Sequence, residues 1–143
     1  MIRLGPLLTE ERDVPLGMGV TIRLKPVTYA GMKAVEAGAF RKARARAGEA
    51  SALGAEALDG ADPEALAAYQ DEITGIAEEL MLDALVARFA VSWDGVANET
   101  GEAPAPLNPE NWRKLREGFP FMADRVRAAL HRPVNLAAAE GNA

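Results

Sequence analysis

The chain has one histidine, His131, and no cysteine, which leaves few routes to nucleophilic or metal chemistry. A cysteine nucleophile, a disulfide and a thiolate metal site are excluded. A Ser-His-Asp arrangement has to use His131 with Ser51 or Ser92, and neither serine stands in a nucleophile-elbow context. His131 falls at an expected helix end beside Arg132 and Pro133, where a ring nitrogen caps the last carbonyls or stays solvated. Neither G-x-x-x-x-G-K-[ST] nor G-x-G-x-x-G occurs. Glu79 and Asp83 lie four apart on one helical face, but a hard divalent cation gathers more oxygens than two carboxylates provide. Trp93, Trp112 and Phe119 have faces on which bases can stack, yet basic residues do not interleave with them as in a single-strand binding groove. No catalytic, cofactor-binding or metal-binding residues are therefore assigned, and the expectation is a protein that is not an enzyme.

At 143 residues the chain suits one domain with a real core. It is 49% hydrophobic and 26% charged, which is ordinary for a globular protein. A net charge of −5 argues against a dedicated nucleic-acid binder, whose footprint is a basic face. The N-terminus has only short apolar runs, and nowhere is there the ~20-residue apolar stretch of a membrane span. The expected setting is a cytoplasm, with neither nucleic acid nor membrane as partner.

The elements that hold these residues follow from periodicity and caps. In "VTIRLKPV", Val20, Ile22 and Leu24 alternate with Thr21, Arg23 and Lys25, predicting a half-buried strand ended by Pro26. Pairing it with "MIRL" through the turn-rich "RDVPLGMG" gives a β-ribbon over 1–27. Thr28 starts a helix over 28–47 with Met32, Val35, Ala39 and Ala43 on one face and Phe40 beside it. Its last turns carry Arg41, Lys42, Arg44 and Arg46, placed to complement the helix dipole. Residues 48–62 are expected to be a linker.

Asp62-Pro63-Glu64 is a strong helix start and opens a long central helix over 63–91. Leu66, Tyr69, Ile73, Ile76 and Leu80 make one seam in its first half. From Leu80 onward it is apolar nearly all round, as in a helix central to a core or covered by another chain. Residues 92–108 are expected to be a turn at Asp94-Gly95 and then a stiff proline linker, with Trp93 as a structural anchor. Asn108-Pro109-Glu110 repeats the start signal and opens two short helices over 109–132, the first carrying a second anchor, Trp112. Residues 133–143 form a fraying tail. The fold class is thus mainly α (α+β): a short N-terminal β-ribbon packed on a bundle of about four helices, in one domain over 1–143.

The apolar run 80–91 exceeds what one ribbon and two short helices are expected to cover. An exposed apolar patch of that kind marks an interaction surface. The expected partner-binding groove therefore joins Leu82, Val86 and Phe89 to Phe40, with Arg41 and Arg44 at its rim, and takes a client helix or a second copy of the chain.

The order of motifs in the second half resembles the small tail assembly chaperones of long-tailed bacteriophages and their prophages. The resemblance rests on Trp93-Asp94-Gly95-Val96, then Glu99 and Gly101, Pro104 and Pro106, Pro109-Glu110, Pro120, Pro133, and finally Glu140 and Asn142. It covers mainly residues 85–142, with a looser match over 18–45, and its motifs are turn and cap chemistry. It implies a non-enzymatic protein that binds the tape-measure protein, with the tail tube protein as a further partner, while the tube assembles. It also implies a place in the cytoplasm of the bacterial host, absence from the finished particle, and often a longer frameshifted form. Two other readings compete with it. One is a structural phage component retained in the particle, such as a head-tail connector or tail-completion protein. The other is a small metal-dependent enzyme built on Glu79 and Asp83.

Overall fold

In the computed structural model, residues 1–5, 9–50 and 62–131 are described, with the side chains of 47–50 left aside. Their order is β1 (Arg12–Gly17), β2 (Val20–Leu24), α1 (Tyr29–Ala50), α2 (Pro63–Phe89), β3 (Ala90–Asp94), α3 (Pro109–Gly118) and α4 (Pro120–His131). The fold is mainly α of the α+β class, with a three-stranded antiparallel sheet in the order β1-β2-β3. The chain divides into two units, one of Met1–Thr28 with Val86–Ala143 and one of Tyr29–Leu85. The linker expected over 48–62 begins too early, since α1 continues to Ala50; its residues 51–61, Ser51 among them, and the expected tail at 133–143 lie outside the described residues.

In the first unit the sheet departs from the expected ribbon. Residues 1–4 are not a strand, and β2 pairs instead with "RDVPLG", the stretch expected to be a turn. The reversal is tighter than foreseen: Gly17, Met18 and Gly19 all have positive φ, at 96°, 53° and 76°. Such a turn brings the residues immediately before it alongside β2. Pro15 is tolerated because β1 is an edge strand, where a missing N–H breaks no ladder on its outer side. The β2 alternation is as the sequence predicts, with Val20, Ile22 and Leu24 buried.

The second departure is β3. The long helix ends at Phe89, not at 91, and passes into a strand at Ala90 without a connecting loop. Trp93, expected in a turn, is a strand residue opposite Ile22. The Phe89 carbonyl accepts a hydrogen bond from the Lys25 N–H at 2.7 Å, tying the helix end to the residue after β2. The β-branched and aromatic "AVSWD" suits a pleat, but its apolar start reads equally well as one more helical turn.

α4 is held to the sheet by a reciprocal pair of arginines. Arg125 on α4 donates from Nη1 to the Leu16 carbonyl at 2.7 Å, and Arg12 on β1 donates to the Ala129 carbonyl. The apolar part of this unit includes Leu16, Ile22, Leu24, Met122 and Val126, all fully buried, with Trp93, Trp112, Leu115 and Leu130 close to it in burial.

The second unit has a thinner interior. Among its described residues the buried apolar side chains are Val35, Ala39, Ala43, Ala77, Leu82 and Leu85. Three of the six are alanines. The seam residues Tyr69, Ile73, Ile76 and Leu80 are only half-buried, and Leu66 is exposed.

Candidate functional site

Three surface features hold the chemistry-bearing side chains. The first is the outer face of α1. Tyr29, Lys33, Ala37, Phe40 and Arg44 follow one another at helical spacing, on the side away from the buried stripe Gly31, Val35, Ala39 and Ala43. Lys33, Glu36, Ala37, Phe40, Arg41 and Arg44 line a shallow depression of about 400 Å³. Phe40 retains 42% of its surface in solvent. Lys33 Nζ pairs with Glu36 Oε2 at 3.1 Å and stands 5.6 Å from the Tyr29 ring centroid. The hydrogen bond to Glu36, and then its charge, hold the Lys33 ammonium above its ordinary range. The face therefore offers an aromatic side chain in a predominantly cationic setting. It can pack an apolar side chain and pair with carboxylates beside it.

Of the six expected groove residues, the structure leaves Phe40, Arg41 and Arg44 exposed. Leu82, Val86 and Phe89 are instead buried, at 8%, 4% and 5% exposure. These three side chains are thus taken up by the chain's own interior, whereas Val91 keeps 41% of its surface in solvent. The expected cover left out β3, which follows Phe89 directly. Conversely, Tyr29, Lys33 and Glu36 join the exposed face without having been singled out. The signal was available in the 29, 33, 37, 40, 44 spacing.

The second feature is the loop after β3, which is not the stiff linker expected. Ala97 and Pro104 form an antiparallel bridge, the Asn98 N–H donates to the Ala103 carbonyl at 2.8 Å, and Ala105 N–H donates to the Val96 carbonyl at 2.9 Å. Asn98 Oδ1 accepts from Thr100 Oγ1 at 2.9 Å and from the Glu102 N–H at 3.2 Å, so one side chain organises the turn. Trp93 Nε1 donates to the Ala105 carbonyl at 2.6 Å, fastening the returning limb. Both Trp93 and Trp112 are buried. Between this loop and α3 lies an open groove of about 630 Å³. Its charged members, Glu99 and Lys114, pair at 2.9 Å. Their hydrogen bond lowers the Glu99 carboxyl and raises the Lys114 ammonium from their ordinary ranges. Two groups neutralising each other in solvent tie the loop to α3.

The third feature surrounds His131, at the end of α4, where Asp124, Arg127, Ala128 and His131 line a depression of about 500 Å³. Among the described residues no three His, Asp or Glu side chains gather in a manner able to hold a metal ion, Glu79 and Asp83 included. Among them, too, no helix is long and apolar enough to cross a membrane. No family model, curated protein or solved structure matches this chain.

Proposed function

We propose that this chain is a non-enzymatic tail assembly chaperone of a long-tailed bacteriophage or prophage, acting in the host cytoplasm on the tape-measure protein while the tail tube is built. The observation that carries this reading is the outer face of α1, where exposed Phe40 sits among Lys33, Arg41 and Arg44. A client helix presenting an apolar stripe flanked by carboxylates suits that face, with Phe40 as the anchor and the arginines raising the rate of encounter. The motif order from Trp93 to Pro133 supports the same reading through its resemblance to that family.

The test is co-expression of the tagged chain with the tape-measure protein of the same phage or prophage. The expected result is co-purification that Phe40→Glu and Arg41→Glu/Arg44→Glu abolish without lowering the melting temperature. Normal binding by both folded variants overturns the placement of the client on α1. Retention of the chain in finished particles favours a structural component over a chaperone.

A further inference from the structure

We propose that a second copy of this chain completes the helical unit Tyr29–Leu85, with α1 of each copy against α2 of the other in a four-helix arrangement. The first ground is the unfinished seam. Tyr69, Ile73, Ile76 and Leu80 are half-buried and Leu66 is 39% exposed, although their spacing makes one continuous apolar stripe on α2. The buried residues Leu82, Leu85, Val86 and Phe89 occupy roughly the opposite side of the same helix at ~100° per residue. Ala77, four residues after Ile73, is buried on this same side, so the stripe is the face that the first half of α2 turns inward, and its large side chains are covered only in part. Among the described residues of this unit, half the buried apolar side chains are alanines, which leaves a seam that a further pair of helices covers well.

The second ground is charge, and it identifies the occupant. From Lys33 to Arg46, α1 carries five cations against the single acid Glu36. In contrast, α2 carries Glu64, Asp71, Glu72, Glu78, Glu79 and Asp83 against Arg88 alone. Lys42 follows Val35 by seven residues and Arg46 follows Ala39 by seven, so both continue the buried stripe of α1 as exposed cations. Glu72 lies three residues after Tyr69 and four before Ile76, at the edge of the α2 seam. Among the described residues, Lys42, Arg46 and Glu72 make no ion pair within the chain. A two-fold axis sets the basic helix of one copy beside the acidic helix of its partner twice over, because such an interface repeats each contact. An α2-to-α2 pairing sets acids against acids and is disfavoured. The inference is independent of the chaperone reading, since Phe40 and Arg44 lie on the outer side of α1 and stay open to a client.

The experiment is sedimentation equilibrium of the full chain across the micromolar range, alone and after charge reversal. The wild type is expected to self-associate, and Leu66→Glu to weaken this about tenfold or more by placing a charge in the seam. Lys42→Glu and Glu72→Lys are each expected to weaken it several-fold, and mixing these two variants to restore it as a heterodimer. Both charge sites are exposed, so the mixing experiment is readable even where a seam variant loses helix by circular dichroism. A wild-type chain that stays monomeric overturns the proposal, and so does association that the mixture fails to restore. A monomer that becomes larger only with the tape-measure protein assigns the seam to the client, also overturning it while leaving the chaperone reading intact.

Discussion

Gly95 stands against the backbone of Gly19. A methyl group on Gly95 would overlap the Gly19 carbonyl oxygen and lie 2.9 Å from its carbonyl carbon and 3.2 Å from Val20 Cα. Gly95 also has a φ of +84°, a region that side-chain-bearing residues rarely adopt. Gly95→Ala is therefore expected to cost about 2–4 kcal/mol, combining backbone strain with a clash against atoms that cannot rotate away. Gly101 has a φ of +74° and open space around it, so Gly101→Ala isolates the conformational part at about 1 kcal/mol. Urea denaturation of both variants checks the pair, and equal costs would show that the Gly19 contact is irrelevant.

Trp93 fastens the loop of 96–106 through one hydrogen bond and fills the sheet through its rings. Trp93→Phe keeps most of the apolar contact and removes the indole N–H that meets the Ala105 carbonyl at 2.6 Å. The expected cost is about 1–2 kcal/mol, with faster amide exchange at Ala105 and its neighbours. Trp93→Ala also empties the site and is expected to cost about 3–5 kcal/mol. A Phe variant as unstable as the Ala variant would place the whole contribution in the hydrogen bond.

These two residues also show what the sequence made legible. The turn expected at Asp94-Gly95 is displaced: Asp94 ends β3 and the chain reverses between Ala97 and Pro104. Trp93 is buried, as its residue type suggests, and the helix starts at Asp62 and Asn108 read directly. Asp62 Oδ1 accepts the Ala65 N–H and Asn108 Oδ1 the Asn111 N–H, each at 2.8 Å. The partners of such residues were not legible. That Gly95 meets Gly19, or that β1 is 12–17, depends on long-range pairing set by the Gly17–Gly19 turn. The exposed face of α1 was half legible. Phe40, Arg41 and Arg44 stand out as an aromatic beside cations, whereas Leu82, Val86 and Phe89 are buried, and the strand that follows Phe89 extends an apolar helix by only five residues.

The Arg125 guanidinium, meeting the Leu16 carbonyl at 2.7 Å, is half of the clasp between β1 and α4. It also stacks 5.5 Å from the Phe121 ring centroid. Arg125→Met keeps the aliphatic stem and removes the charge-assisted donor, for an expected loss of about 1.5–3 kcal/mol. Because Arg12 joins the same two elements, the double variant Arg12→Met/Arg125→Met is expected to fall short of the sum of the single losses. Strict additivity in chemical denaturation would show that the two arginines act separately.

Stability is expected to fall in acid and in strong base, for reasons visible at the surface. Asp13 is lowered by its hydrogen bond from Arg23, and Glu99 by its hydrogen bond from Lys114. The folded state thus binds fewer protons than the unfolded chain near the ordinary carboxylate range of about 4. Their contribution is complete above that range and is lost as pH falls through the lowered folded values. Lys114 is raised, first by Glu99 and then by Glu110, so its contribution is complete below the ordinary lysine value of about 10.4 and is lost above it. All these groups are solvent-exposed, so the slopes should be shallow and flatten in high salt. Thermal melts of wild type and Glu99→Gln from pH 3 to pH 7 at about 0.05 and about 1 M salt provide the check. The variant is expected to lose part of the acid-side slope at low salt only.

The two halves of α2 should respond differently to truncation, because the chain covers their large side chains to different degrees. Leu85 is fully buried, while Leu66 is 39% exposed in the same helix. Leu85→Ala removes packed atoms and leaves a cavity, for an expected loss of about 2–5 kcal/mol. Leu66→Ala removes side-chain surface that is already partly hydrated and slightly improves helix propensity, so its cost in a dilute monomer should stay below about 1 kcal/mol. Ile76 lies between these extremes, being half-buried, and Ile76→Asp should cost less than Leu85→Asp even though both residues read as apolar in the sequence. The comparison is made by urea denaturation at low protein concentration, where a second copy contributes little. Repeating it at high concentration should raise the cost of Leu66→Ala and leave that of Leu85→Ala almost unchanged. If Leu66→Ala is as damaging as Leu85→Ala in the dilute monomer, the first half of α2 is covered as well as the second and this description of the helix is wrong.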